Sequence, residues 1–226
     1  MSPCLNPTAR RVVPCGVRLL IALSGLLFVP AIARAQPAPT LPMFVFDVRA
    51  FYAGLGQDGL TAAALSVTPA DLPNRGLGGM AGLHIYPIRS GGFAIGLGGE
   101  ALLARGRSQP MADEETPLGP PIEQRLRGLA GALSLNFGHR EGWSYVTAGM
   151  GPLEFPTFQD DTAPAGPAPR QMTLNYGGGA RWFITSHVAF GFDIRFYITK
   201  PEEPVPPYPP RERNRLLIMS AGLSFK

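Results

Sequence analysis

Hydrophobic and polar residues alternate one by one through eight segments of this chain, most sharply near its end. From 188 to 198, Val188, Phe190, Phe192, Ile194, Phe196 and Ile198 share one parity; Ala189, Gly191, Asp193, Arg195 and Tyr197 share the other. Successive side chains of a strand point to opposite faces, so one face is apolar and the other small or charged. The same split sets Phe44, Phe46, Val48, Ala50 and Tyr52 against Asp47 and Arg49. It sets Phe93, Ile95, Leu97, Ala101 and Leu103 against Gly96, Gly98 and Glu100. It also sets Leu217, Met219, Ala221, Leu223 and Phe225 against Ser220, Gly222 and Ser224. The pattern predicts strands over 43–55, 76–87, 93–104, 125–137, 143–155, 172–184, 188–198 and 214–225. In the fifth, Val146, Ala148 and Met150 compete with Tyr145 and Thr147 for the apolar face, and the alternation does not choose between them.

The connections carry a second pattern. Long segments (56–75, 105–124, 156–171 and 199–213) alternate strictly with short ones (88–92, 138–142 and 185–187). Membrane β-barrels have short turns at one end, longer loops at the other, and strands of roughly 9–11 residues tilted across the bilayer. A soluble sandwich has no reason to alternate loop length in this way. The fold expected is therefore all-β, an eight-stranded antiparallel up-and-down transmembrane β-barrel with both termini at the turn end.

Alternation alone also fits a soluble sheet with one wet face, so the direction of the apolar face must be argued. Asp47, Arg49, Glu100, Arg181, Asp193 and Arg195 share their face with small residues, which suits a narrow interior. The aromatic and branched aliphatic face suits lipid. Phe44, Phe93, Phe137, Trp143, Trp182, Phe190 and Phe225 fall at the turn ends of strands, and Tyr52, Phe155, Tyr176 and Phe196 at the loop ends. Two such aromatic girdles bound the apolar band of a membrane barrel. Arg125 and Arg127 share parity with Leu129 and so face outward near the loop end, where snorkelling is cheap and lipopolysaccharide phosphates would lie.

Residues 1–35 read differently. Arg10, Arg11 and Arg18 precede a mostly apolar run from Leu19 to Ala33, which closes on Ala33-Arg34-Ala35. That is the form of a cleaved signal peptide, and the run, broken by Gly25 and Pro30, is shorter than the roughly 20 residues of a membrane helix. The domains expected are thus 1–35, signal peptide, and 36–226, barrel. The division changes the charge picture. The chain has 20 Lys+Arg and 16 Asp+Glu, and four arginines but no acid lie in 1–35, leaving 16 against 16. A basic surface for nucleic acid is excluded. Both cysteines, Cys4 and Cys15, also lie in 1–35, so no disulfide is expected in the barrel.

The stretch Leu174-Asn-Tyr-Gly-Gly-Gly-Ala-Arg-Trp-Phe-Ile184, its short turn, and Val188-Ala-Phe-Gly-Phe-Asp-Ile-Arg-Phe-Tyr197 resemble a hairpin of bacterial outer-membrane barrels. With the eight-segment pattern, the chain is similar to the small OmpA/OmpX/OmpW-like outer-membrane β-barrel domains. The resemblance implies an outer-membrane location reached through the periplasm, with both mature termini periplasmic. It implies outer-membrane lipid and lipopolysaccharide as surroundings, and a closing aromatic, here the penultimate Phe225, read by the barrel-assembly machinery. No peptidoglycan-binding domain is expected after the last strand.

The candidate chemistry is an interior charge network of Asp47, Arg49, Glu100, Arg181, Asp193 and Arg195. An unpaired charge inside a narrow barrel is costly, so these six are expected to neutralise one another and fill the lumen. Eight strands enclose a space that side chains can fill, which excludes a wide pore. His84 and Tyr86 fall on the same inner parity. His84 is a candidate general base for a lipid A deacylase or acyltransferase, yet the His and Ser two residues apart near a strand end that mark the deacylases are absent. Neither a catalytic residue, a metal site nor a cofactor is expected. Asp113, Glu114 and Glu115, with Glu202 and Glu203, could bind calcium or bridge cations between lipopolysaccharides, but are expected to be solvated loop acids, and Pro201 to Pro210 is expected to run extended. The function expected is non-enzymatic: envelope integrity or surface interaction through four exposed loops. The alternatives are a lipid-modifying enzyme and a narrow channel for small solutes.

Overall fold

A computed structural model describes residues 42–226 except 114, 140–141 and 161–166. The expected signal peptide, 1–35, lies outside the described residues. The strands are β1 (Phe44–Gly54), β2 (Arg75–Ser90), β3 (Phe93–Ser108), β4 (Ile122–His139), β5 (Gly142–Glu154), a short β6 (Thr157–Gln159), β7 (Arg170–Phe183), β8 (Val188–Ile198) and β9 (Arg215–Phe225). The eight long strands pair antiparallel with their neighbours, β5 with β7 across the short β6, and β9 returns to β1. The sheet therefore closes into the expected barrel, which leaves no unpaired edge among the long strands.

Facing follows the alternation. Along β1, Phe44, Phe46, Val48, Ala50 and Tyr52 are exposed, while Val45, Asp47, Arg49, Phe51 and Ala53 are buried. In β5, the ambiguous strand, Val146 and Met150 are exposed and Tyr145 and Thr147 buried. Two aromatics depart from the expected girdles. Trp143 and Phe155 point inward, Trp143 packing with Val45, Tyr86 and Ala94, and Phe155 with the apolar group described below. Each replaces a girdle contact by an interior one.

Polar residues extend β3 and β4 beyond the expected limits, and a short extra strand joins them. β3 continues through Arg105, Gly106, Arg107 and Ser108, paired as far as Ser108 with Ile122 on β4. β6 pairs with β4 at Ile122, Glu123 and Gln124, beyond the end of the β4–β5 ladder. The apolar alternation stops at Leu103, so these residues read as loop; backbone pairing carries on without it. In β2 the register shifts between Ile85 and Ile88. Pro87 lies in that interval and has no N–H to give to a ladder.

The first and fourth loops carry structure of their own. The first holds a short helix, α1 (Gly59–Ala64), whose N-cap Asp58 accepts from the backbone N–H of Leu60 and Thr61. Ala62, Leu72 and Ile122 form a small apolar cluster beneath it, with Leu65 and Val67 against it. The fourth loop does not run extended. Glu202 and Arg211 exchange backbone hydrogen bonds of 2.8 and 3.0 Å, and Tyr208 N–H donates to the Val205 carbonyl, folding the proline-rich stretch back on itself. The Asp58 carboxylate also accepts from Glu212 N–H at 2.7 Å, and Thr61 Oγ1 donates to the Pro210 carbonyl at 2.9 Å. The first and fourth loops are thereby tied together.

Candidate functional site: the lumen

Alternate residues of the long strands meet inside the barrel. The six charged residues expected there come together with His84 and Tyr86, and all eight are buried. Asp47 and Arg49 come from β1, His84 and Tyr86 from β2, Glu100 from β3, Arg181 from β7, and Asp193 and Arg195 from β8. Arg49 Nη2 lies 2.8 Å from Asp47 Oδ2, and its Nη1 lies 3.6 Å from Asp193 Oδ2. Asp193 takes Arg195 Nε at 2.8 Å, and Arg195 clamps Glu100 with both terminal nitrogens. His84 Nε2 completes the circuit, 3.3 Å from Glu100 Oε1 and 3.1 Å from Asp47 Oδ2.

Arg181 joins this ring from the side. Its Nη2 donates to Asp47 Oδ2 at 2.7 Å and its Nη1 to the Tyr86 hydroxyl at 3.1 Å, and its guanidinium stacks 4.6 Å above the Tyr145 ring. Tyr145 donates to Asp193 at 2.7 Å, and Ser224 donates to Asp47. Three guanidiniums thus meet three carboxylates. The links run across the barrel: Arg195 and Glu100 are 95 residues apart and on strands that do not pair. Toward the turn end, Val45, Tyr86, Ala94 and Trp143 close the space below the charges, with Phe183 packed against them.

The other half of the lumen is apolar. Phe51, Ala53, Leu55, Met80, Leu102, Leu126, Leu153, Phe155, Tyr197, Leu216 and Ile218 form one buried cluster toward the loops. Arg211 caps it, its guanidinium 4.4 Å over the Phe155 ring and donating to the Phe155 carbonyl. Reading the interior as small and charged missed this plug. Its signal was nonetheless present, because the inner parity of β1 runs Val45, Asp47, Arg49, Phe51, Ala53 and turns apolar halfway. Ser224 and Tyr145 were also missed; each lies on the inner parity of its own strand.

His84 Nε2 lies beside two carboxylates, and among the described residues no hydroxyl is its hydrogen-bond partner. His187, in the turn 184–187, meets the Ser186 hydroxyl at 2.8 Å in an exposed position. Among the described residues no three His, Cys, Asp or Glu side chains are grouped to hold a metal ion. In the second loop Asp113 accepts from the backbone N–H of Glu115 and Thr116, and these hydrogen bonds hold its carboxyl below the usual range.

No family model and no curated sequence matches the chain. Solved structures similar to it include Neisserial surface protein A, at 12% identity and TM-score 0.49, over 82% of this chain and 97% of that one. The outer membrane protease OmpT from Escherichia coli is similar at 8% identity and TM-score 0.46, over 86% and 99%. The N-terminal β-barrel domain of Pseudomonas aeruginosa OprF is similar at 14% identity and TM-score 0.36, over 80% and 97%.

Proposed function

We propose that the chain is an integral outer-membrane barrel, with its long loops outside and its termini in the periplasm. It contributes to envelope integrity or surface interaction and catalyses no reaction. The observation that carries this reading is the filled lumen. A neutral charge ring and an apolar plug lie in series along it, beneath loops hydrogen-bonded to one another. What remains to meet other molecules is the loop crown and the outer wall. That wall is studded with exposed Phe, Leu, Val and Met, including Leu77, Leu103 and Leu129 at more than 60% exposure, a surface that only a hydrocarbon environment leaves at low cost. The engagement of His84 by Asp47 and Glu100 favours a structural role for it over a catalytic one.

Surface proteolysis of intact cells tests the orientation. Cuts within 109–121 and 199–214 are expected, and protection of both in intact cells with cleavage only after lysis would overturn it. Planar-bilayer recordings of the purified barrel are expected to show no discrete conductance steps. In a deletion strain, His84→Ala is expected to restore detergent resistance as fully as the wild-type gene, with lipid A composition unchanged. A composition that depends on His84 would instead make the protein an enzyme.

A further inference from the structure

The outer wall of β2–β4 is not a uniform apolar band. At its loop end Arg75, Arg105, Arg107, Arg125 and Arg127 all face outward, with Glu123, Glu154 and Asp160 as the acids beside them. Arg105 and Arg125 stand directly opposite each other in register. Like charges so placed repel, and Glu123, fully buried between them, receives a nitrogen from each. Arg107 is taken by Asp160 at 2.6 Å. Among the described residues Arg75 has no carboxylate within ion-pair distance, and neither has Arg127. In register Arg127 faces Leu103 on one side and Glu154 on the other, and the Glu154 carboxylate is bound by Arg170 at 2.6 Å. The wall thus carries a local cationic surplus, although residues 36–226 balance overall.

The wall is shallowly dished at and below the arginines. Leu77, Leu103, Arg105, Arg125 and Arg127 edge a recess of about 330 Å³. The next rows toward the turns, Ala81 with Ala101 and Gly99 with Gly131, floor a trough of about 630 Å³ rimmed by Phe46, Leu83, Leu129, Met150 and Met172. Steric need does not explain the glycines there. A Cβ built at Gly99 comes no closer than 4.0 Å to its surroundings, and one at Gly131 meets nothing within 4 Å. A Cβ at the inward-facing Gly98 or Gly177, by contrast, would strike a neighbour.

We propose that this wall docks a phosphorylated, multiply acylated glycolipid of the lipid A class, its phosphate on Arg127 with Arg105 and Arg125 and an acyl chain in the trough. Charge complementarity selects the occupant. Guanidiniums bind phosphate in a fork of hydrogen bonds, and a cation at the edge of an apolar band is stabilised by an anion at the same depth. An apolar partner, such as a second barrel, would leave Arg127 without a counter-charge. The inference rests on the orientation proposed above, which brings the loop end to the outer leaflet, but not on what the loops contact.

The test titrates the full-length barrel, purified in a neutral detergent, with bis-phosphorylated lipid A and counts bound lipid by native mass spectrometry. Dephosphorylated lipid A and dioleoylphosphatidylglycerol serve as comparison probes. One tightly held lipid A is expected. Half-saturation should rise at least tenfold in Arg127→Glu and in the trough-filling Gly99→Leu/Gly131→Leu variant, each keeping the heat-modifiable gel migration of a folded barrel. Arg215→Glu, on the opposite wall, should leave binding unchanged. Equal binding of dephosphorylated lipid A, equal binding of phosphatidylglycerol, barrel dimers without lipid, or an unaltered Arg127→Glu would each overturn the proposal. Proteolysis that places the loops in the periplasm removes the orientation; loops outside with Arg127→Glu binding normally removes the glycolipid site alone.

Discussion

The two halves of the lumen fill the same space by different physics. Toward the turns the filling is a ring of three guanidiniums and three carboxylates with His84 between two of the acids. Toward the loops it is a cluster of Phe51, Leu102, Leu126, Leu216, Ile218 and their neighbours. In the charged half each group depends on the position and charge of particular partners. In the apolar half each depends on volume. A buried ion pair roughly balances its desolvation only while both members are present, whereas an aliphatic cluster loses stability in proportion to the volume removed. The difference teaches where the barrel tolerates change and where it does not.

The largest effect is expected in the ring. Asp47 meets Arg49, Arg181, His84 and Ser224, so Asp47→Ala leaves Arg181 without a carboxylate and Arg49 with only its longer contact to Asp193, and should cost about 4 kcal/mol. Urea unfolding from lipid vesicles reads it as a lowered midpoint. An Asp47→Ala barrel as stable as wild type would remove the distinction between the halves. Phe51→Ala comes next, at about 3 kcal/mol for the cavity it opens, read in the same assay. The comparison is sharpest for conservative exchanges. Arg195→Lys keeps the charge but loses the two-nitrogen clamp on Glu100, and should cost about 2 kcal/mol. Leu102→Met keeps volume and should cost less than about 1.5 kcal/mol. If the two exchanges prove equal, the ring is behaving as filler rather than as a specified network. The smallest effect belongs to the loop crown. Asp58→Ala removes the α1 cap and the tie to Glu212, and should cost about 1 kcal/mol. It should also speed proteolysis within 199–214 while leaving the barrel's gel migration unchanged.

Legibility varied along the chain for physical reasons. The eight strands were readable because a closed sheet with an apolar outer face and a packed interior must alternate with period two, and β1, β3, β8 and β9 do so plainly. The membership of the ring was readable from parity alone, since Asp47, Arg49, Glu100, Arg181, Asp193 and Arg195 could point nowhere else. The fifth strand was not, because Tyr145 and Thr147 are amphipathic enough for either face; contact between Tyr145 and Asp193 decides it. The extension of β3 and β4 was hidden because Arg105, Arg107, Glu123 and Gln124 look like loop until they pair across strands. The helix after Asp58 carried its own signal, a capping aspartate followed by Gly-Leu-Thr-Ala-Ala-Ala, and was overlooked inside a long connection.

The sequence by itself determined the strand number, the direction of the apolar face and the neutrality of the interior charge set. These follow from periodicity, loop length and counting, which are properties of the chain taken in order. Only the tertiary structure decided which charge meets which, that the plug sits above the ring, and that Arg127 has no ion-pair partner among the described residues beside a recess in the wall. Those outcomes depend on the stagger of strands around a closed barrel. That stagger sets residues far apart in the chain, such as Glu100 and Arg195, at the same depth in the lumen.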